Sequence, residues 1–413
     1  MREPKESLFT RHFILICVIA VCFNTPVRML DSVLASFVNE TWASKSLGGL
    51  LTTFFNIGSI GMAFLCGPLV ARFGSKRCLI AGACLYCVPT FFCSIFPTQA
   101  FLLFTRLLQG VAKGVVAVAA SSVVADVTPR SRMNEGMGIY NLGSTAAMAF
   151  GPMMGLALAS SLGYPSVFVA AAAVYFSVVL WCQGLRYDSG GAAGVSAAQP
   201  GAENSGYHGI WRLIERRALL PSLNYTVCFA SFAGILVFIT VYSQEILQLS
   251  AQQIGLFYTA AAGSMLAVRL AFGKVADRFG PIPLLLPGHL CIVLSLVMLA
   301  FCAKGNYPVY LLCGALYGAA NSTLQPTFNA LAVTESPRRR SSIANATFYF
   351  TMDFGILFGS VLYGAIIDAA ATSGEGYRNM FLCSIAVCLV SLAISLAAFN
   401  SRARKKRMAA IEK

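Results

Sequence analysis

Twelve stretches of the chain are each about 20 residues or more in length, dominated by apolar side chains and nearly free of charge. That pattern decides the fold class. A hydrocarbon layer about 30 Å thick is crossed by about 20 helical residues, whose backbone groups must bond to one another. The expected spans are 12–37, 47–70, 78–96, 99–124, 134–160, 164–185, 218–244, 252–273, 283–303, 306–332, 341–367 and 377–399. Composition agrees: of 413 residues, 57% are hydrophobic and 11% charged, against about 25% charged in a soluble domain. So little charge cannot cover a water-soluble body of this size, which excludes a cytosolic enzyme, a nucleic-acid binder and a disordered chain. The formal net charge of +14 would point to nucleic acid only on a soluble fold with a basic patch. Here the basic residues sit in short clusters between apolar runs. The chain reads as an all-α polytopic membrane protein.

The first span is too long for a signal peptide, and it carries Arg28 and Asp31 without a small-residue cleavage site. It is expected to be retained as a helix. With both termini placed inside, Lys45, Lys304 and Arg378 fall outside, and Arg28, Arg106, Lys113 and Arg269 fall within helices. The other 23 of 30 basic residues face the cytoplasm. That bias predicts an N-in, C-in topology. Residues 186–217 contain GAAGVSAAQPGAENSG and then Trp211, Arg212, Arg216 and Arg217. They are expected to form a cytoplasmic linker whose basic end lies along the membrane surface. The expected division is a six-helix lobe over 1–185, the linker, a six-helix lobe over 218–399 and a basic tail over 400–413. Most of the fourteen cysteines lie inside apolar runs, where a thiol acts as a small hydrophobe. Cys84 and Cys87 form a C-x-x-C without a second pair, so no metal or cofactor is expected.

The most specific feature is a duplication. GPLVARFG at Gly67–Gly74 recurs as GKVADRFG at Gly273–Gly280, about half the chain length later, and Pro129-x-x-Arg132 recurs as Pro337-x-x-Arg340. Two six-helix halves with matched loops are the pattern of parallel-repeat transporters, whose substrate site lies between the halves. The repeated loop, G-x-x-x-D-R-x-G-x-[RK]-[RK], resembles the signature of the major facilitator superfamily. The resemblance implies two pseudo-symmetric lobes, a multi-pass protein of a cytoplasmic (inner) membrane, a small-molecule substrate and action as a monomer. It also implies that the motif residues gate the inner ends of the lobes. They are Gly67, Arg72, Gly74, Lys76 and Arg77 in one copy, and Gly273, Asp277, Arg278 and Gly280 in the other. The first copy departs from the pattern, with Ala71 in place of an aspartate and Ser75 in place of an arginine. By the resemblance, its basic residues pair with Asp126 and Arg278 faces Glu335; the bland alternative is inside-positive topology alone.

Ionisable groups inside a bilayer are costly, at about 2.5–3.5 kcal/mol each on insertion scales, and so are candidates for function. Six lie inside spans away from the outermost residues: Arg28 and Asp31 in the first, Arg106 and Lys113 in the fourth, Arg269 in the eighth and Asp353 in the eleventh. At about 1.5 Å per residue, Asp31 and Arg106 sit at matching depths, roughly 9–10 Å from the outer ends of their helices. An ion pair would offset the burial of both. Arg28 shares a face with Asp31, and Lys113 shares one with Arg106. Arg106-x-x-Gln109-Gly110 also resembles a motif of proton-coupled members, in which the arginine modulates an acidic proton carrier; Asp31 is the counterpart here. The competing reading is a permanent staple between the two helices. Asp353 is a second proton-coupling candidate, beside Gly355 and Gly359, with Thr351 and Ser360 as hydroxyls that could hold it instead. Arg269 is assigned to gating. His289 is set aside, because its helix is peripheral in the family.

Helix packing is expected from Gly143, Ala147, Gly151 and Gly155 in the fifth span, with a kink at Pro152, and from Gly263 in the eighth. Gly151-Pro152-x-x-Gly155 resembles a motif of family antiporters and leans toward export. Polar candidates for substrate contact, beside Arg28 and Lys113, are Asn24, Thr25, Asn141, Asn224, Tyr225, Tyr242, and the i, i+4, i+8 stripe Asn321, Gln325, Asn329. The reading that follows is a secondary transporter, coupled to protons and exporting a small organic molecule. The alternative is an organic-anion symporter or exchanger, since four basic groups face two acidic ones inside the membrane. A receptor-like scaffold is opposed by the duplicated loops. No enzyme is expected, because nucleotide-binding loops, zinc spacings and a credible Ser/His/Asp set are missing from the sequence.

Overall fold

The computed structural model describes residues 8–42, 44–63, 65–129, 133–185, 214–279, 284–337 and 340–411. The side chains of 141, 270–279 and 399–411 are among those outside the description. The described chain is helical throughout, with α1 (Arg11–Trp42), α2 (Lys45–Ala63), α3 (Cys66–Phe73), α4 (Ser75–Cys93), α5 (Gln99–Val127), α6 (Met133–Leu162) and α7 (Tyr164–Gln183). After the linker come α8 (Leu219–Glu245), α9 (Ala251–Phe279), α10 (Leu285–Ala300), α11 (Tyr307–Thr334), α12 (Ser341–Asp368) and α13 (Ser373–Ile411). Apart from α3, these are the twelve spans read from the sequence. Eight of them (α1, α4, α5, α6, α7, α8, α12 and α13) are apolar and long enough to cross a membrane on their own composition. The others are shorter or more polar, as with Asn321 and Gln325 in α11, and need neighbours to bury their polar groups.

Two boundaries differ from expectation, and both involve the repeated motif. The second span is interrupted by a turn at Leu65, and the first motif copy forms the separate helix α3 instead of a loop. Gly74 ends it at φ 83°, a conformation open to glycine, with its N–H on the Val70 carbonyl. The second copy is helical too, because α9 runs on through it to Phe279. Apart from their glycines, these motif residues are mostly tolerant of helix, and in the first copy the chain continues until Gly74 ends it.

Packing divides the chain into two compact units, residues 1–207 with 249–259, and residues 208–248 with 260–413. In the first, α1 lies along α6 and α7, and α4 against α5 and α7. In the second, α8 lies along α12 and α13, and α10 against α11 and α13. The duplication therefore extends from the loops to helix partnerships. Close crossings use glycine. A Cβ on Gly151 would stand 2.9 Å from the Thr25 carbonyl oxygen, and one on Gly155 2.7 Å from that of Met29. In the second unit, Gly355 and Gly359 repeat the arrangement against Thr226 and Ala230, at 2.5 and 2.8 Å. These two glycines, beside Asp353, are thus set close against α8. Gly143 packs more loosely on Val21 at 3.2 Å, and α6 continues through Pro152. Gly263 is corrected: a Cβ there would meet nothing within 4 Å among the described residues, so it does not serve close packing.

A buried ion pair fixes the start of α8. Glu215 and Arg340 have side chains only 3% exposed, and the Arg340 Nε donates to the Glu215 carboxylate. Arg340 Nη2 donates to the Ile214 carbonyl at 3.1 Å, and the Glu215 N–H donates to Thr347 Oγ1 at 3.0 Å. Removing one member of such a pair strands the other charge, at about 3–5 kcal/mol. Glu215→Ala is expected to lower the thermal unfolding midpoint of the purified protein by several degrees. An unchanged midpoint would show that the pair does not hold α8 in place.

Candidate functional site

The densest polar cluster of the first unit is built on α1 and α5. On α1, Pro26 lacks an N–H and weakens the preceding turn. There the Asn24 and Thr25 side chains donate to the Ala20 and Val21 carbonyls, each at 2.8 Å. Both polar groups are thereby engaged with their own helix. One turn on, Asp31 accepts from Arg106 Nη2 at 2.7 Å and lies 3.5 Å from Arg28 Nη1. Arg106 is 6% exposed, Asp31 25% and Arg28 36%. One carboxylate is therefore shared by a buried guanidinium from another helix and an accessible one from its own.

Arg106 is held from a second side. Its Nη1 donates to Gln109 Oε1 at 3.2 Å, Gln109 Nε2 donates to Thr90 Oγ1 at 2.8 Å, and the Thr90 hydroxyl donates to the Tyr86 carbonyl. The R-x-x-Q-G pattern has a geometric meaning here. Gln109 orients the guanidinium, and Gly110 lets α2 approach until a Cβ would stand 1.9 Å from the Phe55 carbonyl oxygen. That approach places the Phe55 ring 4.9 Å from Arg106 Cζ and 5.2 Å from Lys113 Nζ, within cation–π range of both. A narrow recess lined by Leu30, Leu34, Cys93, Thr105, Arg106 and Gln109 reaches the cluster, where Arg106 Nε is buried without a hydrogen-bond partner. Phe55 and Thr90 were not found by sequence reasoning. One phenylalanine among thirty and a lone threonine carry no signal.

The first motif copy departs from the expected latch. Lys76 Nζ donates to the carbonyls of Gln183 and Leu185 at 2.9 and 2.8 Å. It caps the C-terminal end of α7, where carbonyls lack intrahelical partners and the dipole favours a cation. Arg72 lies over the Phe73 ring at 5.5 Å, and Arg77 is exposed. Asp126, expected to receive these cations, forms no ion pair among the described residues, and burial pushes its carboxyl above the usual range. Gly67 lies in α3. In the second copy, the side chains at Gly273, Asp277 and Arg278, and all of Gly280, lie outside the described residues, as does the Asn141 side chain. The Arg278–Glu335 pairing therefore lies outside them too. Glu335 itself caps α11, and Arg269 is half-buried on α9.

Several polar residues expected at a substrate surface instead tie helices together. Asn224 Nδ2 donates to Ser395 Oγ at 2.9 Å, and Ser391 Oγ donates to Asn224 Oδ1 at 2.9 Å, joining α8 to α13. His289 joins the same seam, fully buried, with Nε2 3.2 Å from Ser391 Oγ. Tyr242 donates to the Leu299 carbonyl at 2.7 Å. Tyr225 is fully buried, stacked between Phe229 and Phe348. In a bilayer such groups need partners, and a neighbouring helix is the nearest source. On α11, Asn321 is buried, Gln325 Nε2 lies 3.8 Å from the Met352 sulfur and Asn329 is half-buried. Asp353 is half-buried on α12. The two hydroxyls that could have held it donate elsewhere, Thr351 to the Phe348 carbonyl and Ser360 to that of Leu357.

A sequence profile described as Major Facilitator Superfamily matches residues 16–360 and 290–412. The chain belongs to that superfamily. It is 20% identical over 370 residues to an uncharacterised MFS-type transporter of Methanocaldococcus jannaschii, covering 88% of this chain and 93% of the relative. It is 26% identical over 370 residues to the multidrug resistance protein MdtG of Escherichia coli, covering 87% and 85%. Among solved structures, a mutant of the nucleoside transporter NupG superposes with TM-score 0.80 at 12% identity, covering 94% of this chain and 100% of that one. A bacterial homologue of the human lysosomal transporter Spinster, inward-facing, superposes with TM-score 0.73 at 16% identity, covering 96% and 98%. At such identities the superpositions show the fold alone. This major facilitator chain is an integral, multi-pass membrane protein whose function is membrane transport.

Within it, α4 acts on the Asp31–Arg106 pair through Gln109. Thr90→Val removes the acceptor of a buried amide, a loss of about 1–3 kcal/mol. The expected outcome is a lower unfolding midpoint, restored by Thr90→Ser. Equal midpoints for wild type and Thr90→Val would show that the Gln109 bridge carries no weight.

Proposed function

We propose that this transporter couples proton movement to export of a small organic molecule, with Asp31 as the proton-binding group and Arg106 as its counter-charge. The observation that carries the reading is the shared carboxylate. Asp31 is a quarter exposed, so water can reach it, while its strong partner is buried on another helix. Protonating Asp31 removes the charge that draws Arg106 to α1. Arg106 then stays with α5 through Gln109, and Arg28 loses its counter-ion. One proton thereby loosens α1 from α5 in a unit whose other contacts persist. That is the kind of local change alternating access requires.

The likeness to MdtG, together with the Gly151-Pro152-x-x-Gly155 sequence, supports export as the direction. Asp353 is the secondary coupling candidate, and the gating roles of Arg269, Asp126 and the motif residues belong to the same reading. Action as a monomer is also part of it. A second reading, a symporter or exchanger of organic anions that uses the basic groups, is favoured by one observation, the two guanidinium groups around the single Asp31 carboxylate.

The test is transport in proteoliposomes loaded with a pH-sensitive dye, comparing wild type, Asp31→Asn and Asp353→Asn across anionic and cationic compounds. Substrate-dependent proton flux is expected in wild type and a loss of at least about tenfold in Asp31→Asn. Unchanged coupling in both variants, or anion movement without protons, would replace this reading with the second.

A further inference from the structure

A guanidinium holds its N–H donors in one rigid plane, and a buried one needs acceptors along every edge of that plane. Arg106 is 6% exposed. Its Nη2 donates to Asp31 at 2.7 Å and its Nη1 to Gln109 at 3.2 Å. The third nitrogen, Nε, is buried and meets no acceptor among the described residues. The same side chain forms part of the wall of the narrow recess between α1, α4, α5 and α7. One turn of α5 away from Gln109, Thr105 is also on that wall. Its Oγ1 accepts from Cys93 Sγ at 3.3 Å and keeps a rotatable proton of its own. Leu34 from α1 and Phe168 from α7 close the other sides with apolar surface. The cavity volume is about 10 Å³, at the size of one water and far below that of an organic ligand.

We propose that this recess is a binding site for one water molecule, held by Arg106 Nε and Thr105 Oγ1. A wholly apolar recess of this size would stay dry, whereas two polar groups on its wall supply the hydrogen bonds that a buried water requires. The role of the site, although not its existence, rests on the proton-coupling reading above. While Asp31 is ionised, it answers the charge of Arg106. Once Asp31 has taken a proton, the guanidinium keeps its charge among Gln109, the Phe55 ring and apolar side chains. None of these is an anion, and a buried charge that loses its partner is strongly disfavoured. A water on Nε turns its dipole toward the cation in both states and remains when the carboxylate is neutralised. It narrows the difference between paired and unpaired Arg106, which is the difference that proton binding at Asp31 has to overcome.

The test is hydroxyl-radical footprinting of the full chain in detergent, using pulsed X-rays and mass spectrometry, which requires neither transport nor coupling. A water held in the interior yields its radical on the spot, so the side chains around it are oxidised although bulk solvent does not reach them. Cys93 and Phe168 are buried walls of the recess, and Cys313 and Phe238, buried in the second unit, serve as references. Phe168 is expected to be oxidised about tenfold faster than Phe238, and Cys93 faster than Cys313. Thr105→Val should bring Phe168 down to the reference rate, and Thr105→Ser should keep it fast. Misfolding raises oxidation throughout a chain, so it does not imitate a selective fall. Equal rates at Phe168 and Phe238 in wild type, or a Phe168 rate unchanged in Thr105→Val, would overturn the proposal. Fast oxidation of Phe168 that depends on Thr105, with coupled proton flux unchanged in Asp31→Asn, would sink the coupling reading and leave the water site standing.

Discussion

A guanidinium in the apolar interior of a helix bundle must have partners, and Arg106 organises the first unit around that need. Its charge is met by Asp31 from α1, its direction is set by Gln109, and its face lies against Phe55 from α2. Through Gln109 and Thr90 it also engages α4. Four helices therefore answer to one side chain. The small residue at Gly110 is part of the same arrangement, because without the close approach of α2 the Phe55 ring would not reach the cations.

The second unit repeats the helix partnerships of the first. Its first helix, α8, rides on α12 through Gly355 and Gly359 as α1 rides on α6 through Gly151 and Gly155. There, α8 is joined to α13 by Asn224, Ser391 and Ser395, and anchored at its start by Glu215 and Arg340. The duplication has kept the steric rules of close packing and let the polar groups diverge.

The twelve helices were legible because hydrocarbon imposes a length and an apolar composition that any sequence must display. The contact between Asp31 and Arg106 was legible from their matched depths, since a buried charge narrows its possible partners to very few. What escaped the sequence has a common physical cause. Lys76 bonds to backbone carbonyls at the end of α7, and a carbonyl leaves no mark on the sequence. Asn224 and Tyr242 look like cavity residues by composition, yet in a bilayer a polar group is satisfied as readily by the next helix as by a substrate. Helix propensity differs little among most of these residues, so it does not mark the break before α3 or the run of α9 through its motif. Glu215 lies within the expected linker, whose polar composition gives no sign that this carboxylate is buried against Arg340.

The central claim is that the carboxylate belongs on α1 because a proton must reach it there. Exchanging the pair, Asp31→Arg with Arg106→Asp, keeps the contact and moves the carboxylate to the buried position. The measurement is proton flux per substrate in proteoliposomes containing the exchanged protein. The account predicts that the exchange recovers thermal stability relative to either single change but leaves proton flux uncoupled from substrate. Coupled transport at the wild-type ratio in the exchanged protein would contradict it, and would reduce the pair to a staple between two helices.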